Sequence, residues 1–344
     1  MPLPGFFRRL FGQQAAPVPT KTTTVIRRIE PIVENAPAAT SDRWVERDAA
    51  YWPDRVIRVI KHLRNDWSNF PDRGKWPDAT ELLTLLAAPP DAVIRQLPAA
   101  AREALAICDN ATLSRTQLSD KLSRDPSLVQ ALLKQANGVF YGAGLASVLR
   151  VDAAIDRIGI EATRAIVLAS CVDGLLSKPG GQYDAMLASV WAHMVTTGHL
   201  ARTVAPMLGA DLEEAFAVAL LHDVGKLVIF DCISSLRATK RSAVAFPDAW
   251  FATLLEHLHE PLGAVAVQRW GLGPRAADAI GAHHRRERPA LRHPLAEALF
   301  IAERADQANR KKERLDFEGV WSLGQISGDR KEIEVALFRK MKAA

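Results

Sequence analysis

The segment Ala219-Leu220-Leu221-His222-Asp223-Val224-Gly225-Lys226-Leu227-Val228-Ile229-Phe230 constrains this chain most. It is apolar along nearly its whole length and reads as a buried helix, yet an imidazole and a carboxylate stand side by side in its middle. An unpaired ionisable group is costly to bury, so the fold has to supply each of them with a partner. A divalent metal ion is the simplest partner, because neutral imidazole and carboxylate both ligate such cations. A structural arrangement also satisfies the pair, with His222 bonded to a backbone carbonyl and Asp223 to Lys226 one turn along. The dipeptide alone leaves both readings open.

The remaining 332 residues narrow the setting: 344 residues with 48% hydrophobic content can fill two or three domains. Cys108, Cys171 and Cys232 are far apart and odd in number, which argues against a disulfide scaffold and fits a reducing compartment, so the chain reads as cytoplasmic. No apolar run reaches the length of about 18 residues that a membrane span requires. Phe6-Phe7-Arg8-Arg9-Leu10-Phe11 is too short for a signal-peptide core and reads as a frayed tail or a surface-touching patch. The net charge of +5 is spread over short clusters such as Arg27-Arg28, Arg285-Arg286 and Arg310-Lys311-Lys312, rather than a dense face, so nucleic acid is not the expected partner.

Helical signals run through the chain after a Pro-, Ala- and Thr-rich stretch, residues 1–42, that lacks periodicity and is expected to be a disordered tail or linker. An amphipathic helix is expected within 44–63, on Val56, Ile57, Ile60 and Leu63. A connector follows, with Trp67, Phe70 and Trp76 between prolines. This N-terminal part reads as a helical extension, 43–88, with a docking or oligomerisation role as one reading. Asp125-Pro126 caps and opens a helix over 126–136. Residues 139–150 read as a loop, 151–158 and 161–176 as helices, and Lys178-Pro179-Gly180-Gly181 as a break between subdomains 89–180 and 181–310. Further helices are expected over 186–208, 212–230, 248–258, 262–270, 275–284 and 294–309, and 311–344 forms a C-terminal extension. No strand alternation or solenoid repeat is present. The expected fold is all-α, two adjoining helical bundles.

Most of the nine histidines lie in the second half. His193 precedes His222-Asp223; His259, His283-His284 and Asp306 follow on separate segments. Each has a bland reading: His259 as a neighbour of a helix start, His283-His284 as a pair favouring a helix C-terminus, and Asp306 as a solvated carboxylate. His62, His199, His257 and His293 read as structural or surface residues.

The order of these residues resembles the HD superfamily of metal-dependent phosphohydrolases. Leu97-Pro98, Arg124-Asp125-Pro126-Ser127-Leu128, Leu132-Leu133-Lys134-Gln135-Ala136-Asn137, Phe140-Tyr141-Gly142, Ala154-Ile155 before Ile158-Gly159, and Leu220 to Lys226 together resemble an HDOD domain over roughly 89–306. This resemblance implies an all-helical bacterial signal-transduction protein acting mainly through contacts with other signalling proteins. It also implies that His193, His222, Asp223 and Asp306 correspond to a mononuclear HD metal site. His259, His283 and His284 match the additional ligands of the related HD-GYP cyclic di-GMP phosphodiesterases, with Asp223 bridging. Such ligands suit Fe, Mn or Zn, as one ion or two. Lys226, together with Arg285 and Arg286, is placed to neutralise phosphate, Lys226 being the candidate catalytic cation, or to pair with Asp223. The alternative function is then hydrolysis of a nucleotide or cyclic dinucleotide. One departure weighs against the usual cyclic di-GMP chemistry: Arg285-Arg286-Glu287-Arg288-Pro289, not a Gly-Tyr-Pro loop, follows the paired histidines.

Overall fold

The computed structural model describes residues 47–96, 114–142, 144–175, 182–284, 293–324 and 328–343, with single positions between. The expected tail, residues 1–42, and Arg285 and Arg286 lie outside the described residues. Among the described residues every regular element is a helix and none is a strand. In chain order the α-helices are α1 (Tyr51–Ser68), α2 (Pro77–Leu86), α3 (Pro90–Val93), α4 (Arg115–Leu122), α5 (Pro126–Ala136), α6 (Val139–Gly142), α7 (Val151–Ile158), α8 (Ile160–Leu175) and α9 (Gln182–Val204). Then come α10 (Leu212–Leu221), α11 (Val224–Lys240), α12 (Asp248–Arg269), α13 (Gly273–Gly281), α14 (Pro294–Lys311), α15 (Phe317–Gly324) and α16 (Arg330–Ala343). The all-α expectation holds.

Local chemistry sets several boundaries. Asp125 accepts from the Ser127 and Leu128 amides while Pro126 occupies the first turn of α5. Asp211 does the same for the Glu213 and Glu214 amides and starts α10. These carboxylates satisfy amide donors that the first helical turn cannot pair internally.

Two apolar cores result. The smaller is built from α4, α5, α7 and α8, around Leu122, Leu128, Leu132, Ile155 and Val167, and is closed by Val195 of α9 and Phe216 and Leu220 of α10. The larger joins α9 to α14 with Val320, Ile333 and Leu337 of the last two helices. Helix α1 belongs to this larger core: Trp52, Val56, Val59, Ile60, Leu63 and Trp67 are all buried in it. α9 and α10 are therefore shared walls, and they bring the first histidine and the His-Asp pair to the centre of the molecule.

The structure corrects three expected boundaries. The segment 212–230 is not one helix but breaks at His222-Asp223, where Asp223 leaves the helical conformation (φ −96°, ψ 12°) between α10 and α11. The break turns the two side chains inward from a corner. Conversely, 248–258 and 262–270 form one helix, α12, which passes through Pro261 and places His259 in its interior rather than at a start. Pro261 removes only one ladder donor, and its neighbours on α12 stay buried against the core. Within the expected loop 139–150, residues 139–142 form the short helix α6.

Candidate metal centre

Two glycines set the distances at the centre. A Cβ on Gly225 would fall 2.0 Å from the His259 carbonyl oxygen and 2.7 Å from the Gly263 nitrogen, so α11 and α12 touch backbone to backbone at this point. Only glycine permits that approach. It sets His259 of α12 beside Asp223, two residues before Gly225.

Five imidazoles converge there. His222 Nδ1 donates to the Ala219 carbonyl at 2.7 Å, His259 Nδ1 to Leu255 at 2.6 Å, and His283 Nδ1 to Ile280 at 2.7 Å. His193 Nδ1 lies 2.5 Å from Asp306 Oδ2, and His284 Nδ1 lies 3.2 Å from Glu303 Oε1. Each of these partners can only accept, which assigns the single proton of a neutral ring to Nδ1 and leaves a lone pair on Nε2. Those lone pairs face one another. Nε2 of His222 is 3.1 Å from Nε2 of His193, and Nε2 of His259 is 3.3 Å from that of His283 and 3.0 Å from that of His284.

Asp223 lies between the two groups. Its Oδ2 faces His222 at 3.6 Å and His193 at 3.9 Å, and Lys226 Nζ pairs with it at 2.6 Å. Its Oδ1 faces His259 at 3.6 Å and His283 at 3.9 Å; this buried atom has no hydrogen-bond partner among the described residues. The structural partners expected for the His-Asp pair are thus both present, and each serves only one half of its group. His222 Nε2 and Asp223 Oδ1 are left over.

The leftover atoms fit a cation. With metal–imidazole bonds of about 2.0–2.1 Å, neighbouring ligand nitrogens sit about 3.0–3.4 Å apart, the spacing of the facing Nε2 atoms. Three overlapping sets have ligand atoms within 4.8 Å of one another: His193, His222 and Asp223; His259, His283 and His284; and His222, His283 and Glu303.

Electrostatics agree with the geometry. Burial lowers the His222 pKa to about 4 and holds those of His259 and His283 well below the ordinary imidazole range, so protons do not supply the missing positive charge at these rings. At His284 burial works in the same direction, but Glu303 outweighs it and raises the pKa. Burial would raise Asp223, yet Lys226 and the surrounding imidazoles hold it well below the usual carboxylate range. Glu303 is likewise held down, mainly by His284 against the opposing effect of burial.

Each described residue among the sequence-predicted ones therefore has a defined place. His193, His222, Asp223, His259, His283 and His284 meet at one centre, and Lys226 is ion-paired to Asp223. Asp306 sits on the far side of His193, between its Nδ1 and Arg310 Nε at 2.5 Å. It orients the ring and, unlike the ligand that the resemblance implies at this position, is not among the convergent sets of ligand atoms of the described residues. Sequence reading missed Glu303, which is buried with Oε2 unpartnered, and Glu260, whose Oε1 accepts the His284 amide at 2.9 Å. The signal was there for Glu303: three residues before Asp306, it lies on the same face of α14. His293 caps α14, and His199 packs in the smaller core's wall against Tyr141 and Phe216, away from the centre.

The sequence pattern of the HDOD domain matches residues 94–286, more than half of the chain. The chain belongs to the HDOD family. A provisionally named phosphohydrolase from Shewanella amazonensis SB2B is similar in structure, with a TM-score of 0.57 and 25% identity over 76% of this chain and 94% of that one. A provisionally named signal transduction protein from Marinobacter aquaeolei VT8 shares the fold at a TM-score of 0.52 and 19% identity, over 86% of this chain and 64% of that one. An uncharacterized protein of Treponema pallidum (strain Nichols) is 24% identical over 197 residues, 56% of this HDOD chain and 37% of the relative, so the chain spans little more than a third of that relative's length. Among the described residues no helix is long and apolar enough to cross a membrane.

Proposed function

We propose that this HDOD protein is a cytoplasmic bacterial regulator, built on a retained divalent-metal centre, whose output passes through contacts with other signalling proteins. The metal half of this reading is carried by one observation: imidazole lone pairs face one another around a carboxylate whose Oδ1 has no partner. His193, His222 and Asp223 would hold a cation at one end and His259, His283, His284 and Asp223 at the other, with Glu303 between them. Mixed imidazole and carboxylate ligation suits Fe, Mn or Zn. The regulatory half is supported by family membership and by the name of the Marinobacter neighbour.

A second reading, a metal-dependent phosphohydrolase acting on a nucleotide or cyclic dinucleotide, has its own supporting observation. The ligands His222, Asp223, His259 and His283 are almost fully buried, whereas the side chains of His193, His284 and Lys226 remain 12, 17 and 21% exposed. A small anion could therefore approach the centre past these partly exposed side chains, where its phosphate would compete with Asp223 for the Lys226 ammonium. A bound divalent ion supplies Lewis acidity and a water of lowered pKa. The chain's own groups exclude bulk water, fix the imidazole lone pairs and hold the ammonium beside Asp223.

Metal analysis of protein purified without chelators, followed by turnover assays on a phosphoester and nucleotide panel with added Mn or Fe, separates these readings. Bound metal without turnover supports the regulator, and bound metal with turnover supports the enzyme. An absence of both contradicts the metal centre.

A further inference from the structure

Helix α1 precedes the family match, yet it reaches the helix that carries His259 and the helix whose end leads into His283 and His284. It packs along α12, which bears His259. At its N-terminal end Trp52 lies on the last turn of α13. The indole ring comes within 2.3–2.5 Å of the point a Cβ on Gly281 would occupy, so this glycine leaves the space that the ring fills. The indole Nε1–H donates to Asp278 Oδ1 at 2.9 Å, and Arg47 lies 3.7 Å from the same oxygen while its guanidinium stands over the Tyr51 ring, 4.2 Å from the centroid.

This contact lies one step from the ligands. Gly281 is two residues before His283, and the adjacent Ile280 carbonyl is the acceptor that fixes the His283 ring. Any shift of that turn moves the acceptor and the His283 backbone together, and His284 follows on the same turn. Trp67 provides a contrast at the other end of α1: its Nε1–H donates to Thr80 Oγ1 at 2.9 Å and its ring packs against Trp250, distant in sequence from the histidine pair.

We propose that α1 controls the His259, His283 and His284 end of the centre, with Trp52 as a positioning residue that acts through Asp278 and Gly281 on the presentation of His283 and His284. This inference rests on the metal reading above for its consequence, though not for its geometry. Displacement of α1 then weakens the cation site at that end and leaves His193 and His222 in place.

The test uses the full chain and four variants. Trp52→Phe keeps an aromatic ring and deletes the indole donor; Asp278→Leu deletes the acceptor; Asp278→Asn retains an acceptor oxygen; Trp67→Phe deletes an equivalent indole bond elsewhere on α1. Imidazole nitrogen resonances are recorded on the metal-free protein, and Co2+ alone is then titrated by optical absorption. Trp52→Phe and Asp278→Leu are expected to shift the His283 and His284 resonances and to weaken Co2+ binding at that end about 10-fold, the lower range for losing an outer-shell contact. Asp278→Asn restores both readouts, and Trp67→Phe leaves both unchanged. Unmoved resonances in Trp52→Phe and Asp278→Leu would overturn the proposal, as would an equal response to Trp67→Phe. Should the unmodified chain take up no Co2+, the metal reading fails, and the imidazole resonances by themselves decide whether Trp52 positions the pair.

Discussion

The two oxygens of Asp223 face different environments. On the Oδ2 side the chain supplies its own cation, Lys226, and His193 is partly exposed; on the Oδ1 side His259 and His283 are sealed from water and, among the described residues, no hydrogen-bond donor answers the oxygen. The difference teaches that the two ends of the centre are not equivalent. On the proposed metal reading a bound ion would complete the Oδ1 end, because a buried unpaired carboxylate oxygen carries a desolvation penalty. The Oδ2 end has a built-in counter-charge that a ligand's phosphate could compete for.

The largest expected effect comes from breaking the contact that holds both ends together. Gly225→Ala would drive a methyl into the His259 carbonyl, backbone against backbone, and is expected to destabilise the fold by about 3 kcal/mol or more in denaturant unfolding. Gly263→Ala, whose nearest neighbours lie at 3.2–3.3 Å, is expected to have the smaller effect.

Next comes the shared carboxylate. Asp223→Asn should lower metal affinity at both ends by more than the roughly 10- to 100-fold typical of an outer-shell loss. His222→Ala should affect one end and His259→Ala the other, as read by calorimetric titration.

Acid should act on the metal-free chain in a defined direction. His222, lowered to about 4, together with His259, His283 and His199, binds fewer protons folded than unfolded below pH 6.5. Their contribution to stability is therefore present above that pH and is lost as pH falls toward about 4. His284, raised by Glu303, has the opposite sign and is outnumbered. Thermal unfolding between pH 7 and 4.5 checks the slope, and a flat profile would contradict the buried neutral rings.

Asp306→Asn sharpens the comparison further. It should weaken binding about 10-fold at the His193 end only, because Asp306 orients that ring without joining the convergent atoms. The smallest effect is expected from Lys226→Gln, which frees Asp223 Oδ2. Metal binding should be retained or rise by about a few-fold, by the removal of a competing charge-assisted bond, while any phosphoester turnover should fall.

Much of this was legible in the chain itself. The helical periods and the Asp125-Pro126 start foretold the fold class, and the His and Asp order named six of the side chains that lie together in the structure. The corner at His222-Asp223 was not, because apolar periodicity on both sides runs through it unbroken. Pro261 misled in the opposite sense, since proline usually ends a helix and here the buried neighbours of α12 hold one together across it. Glu303 went unnoticed because a charged residue between Ala302 and Arg304 looks solvated until the partners of α14 are known. The place of α1 in the larger core was also hidden, since its buried stripe does not say which helices it meets.

The centre is tested most directly by elemental analysis of the full chain purified without chelators, alongside a His222→Ala, Asp223→Asn double variant. The account predicts at least one Fe, Mn or Zn ion per chain in the unaltered protein, a higher Tm on adding more of that ion, and neither in the double variant. An unaltered chain that carries no metal and whose Tm does not move with any of the three ions would contradict it.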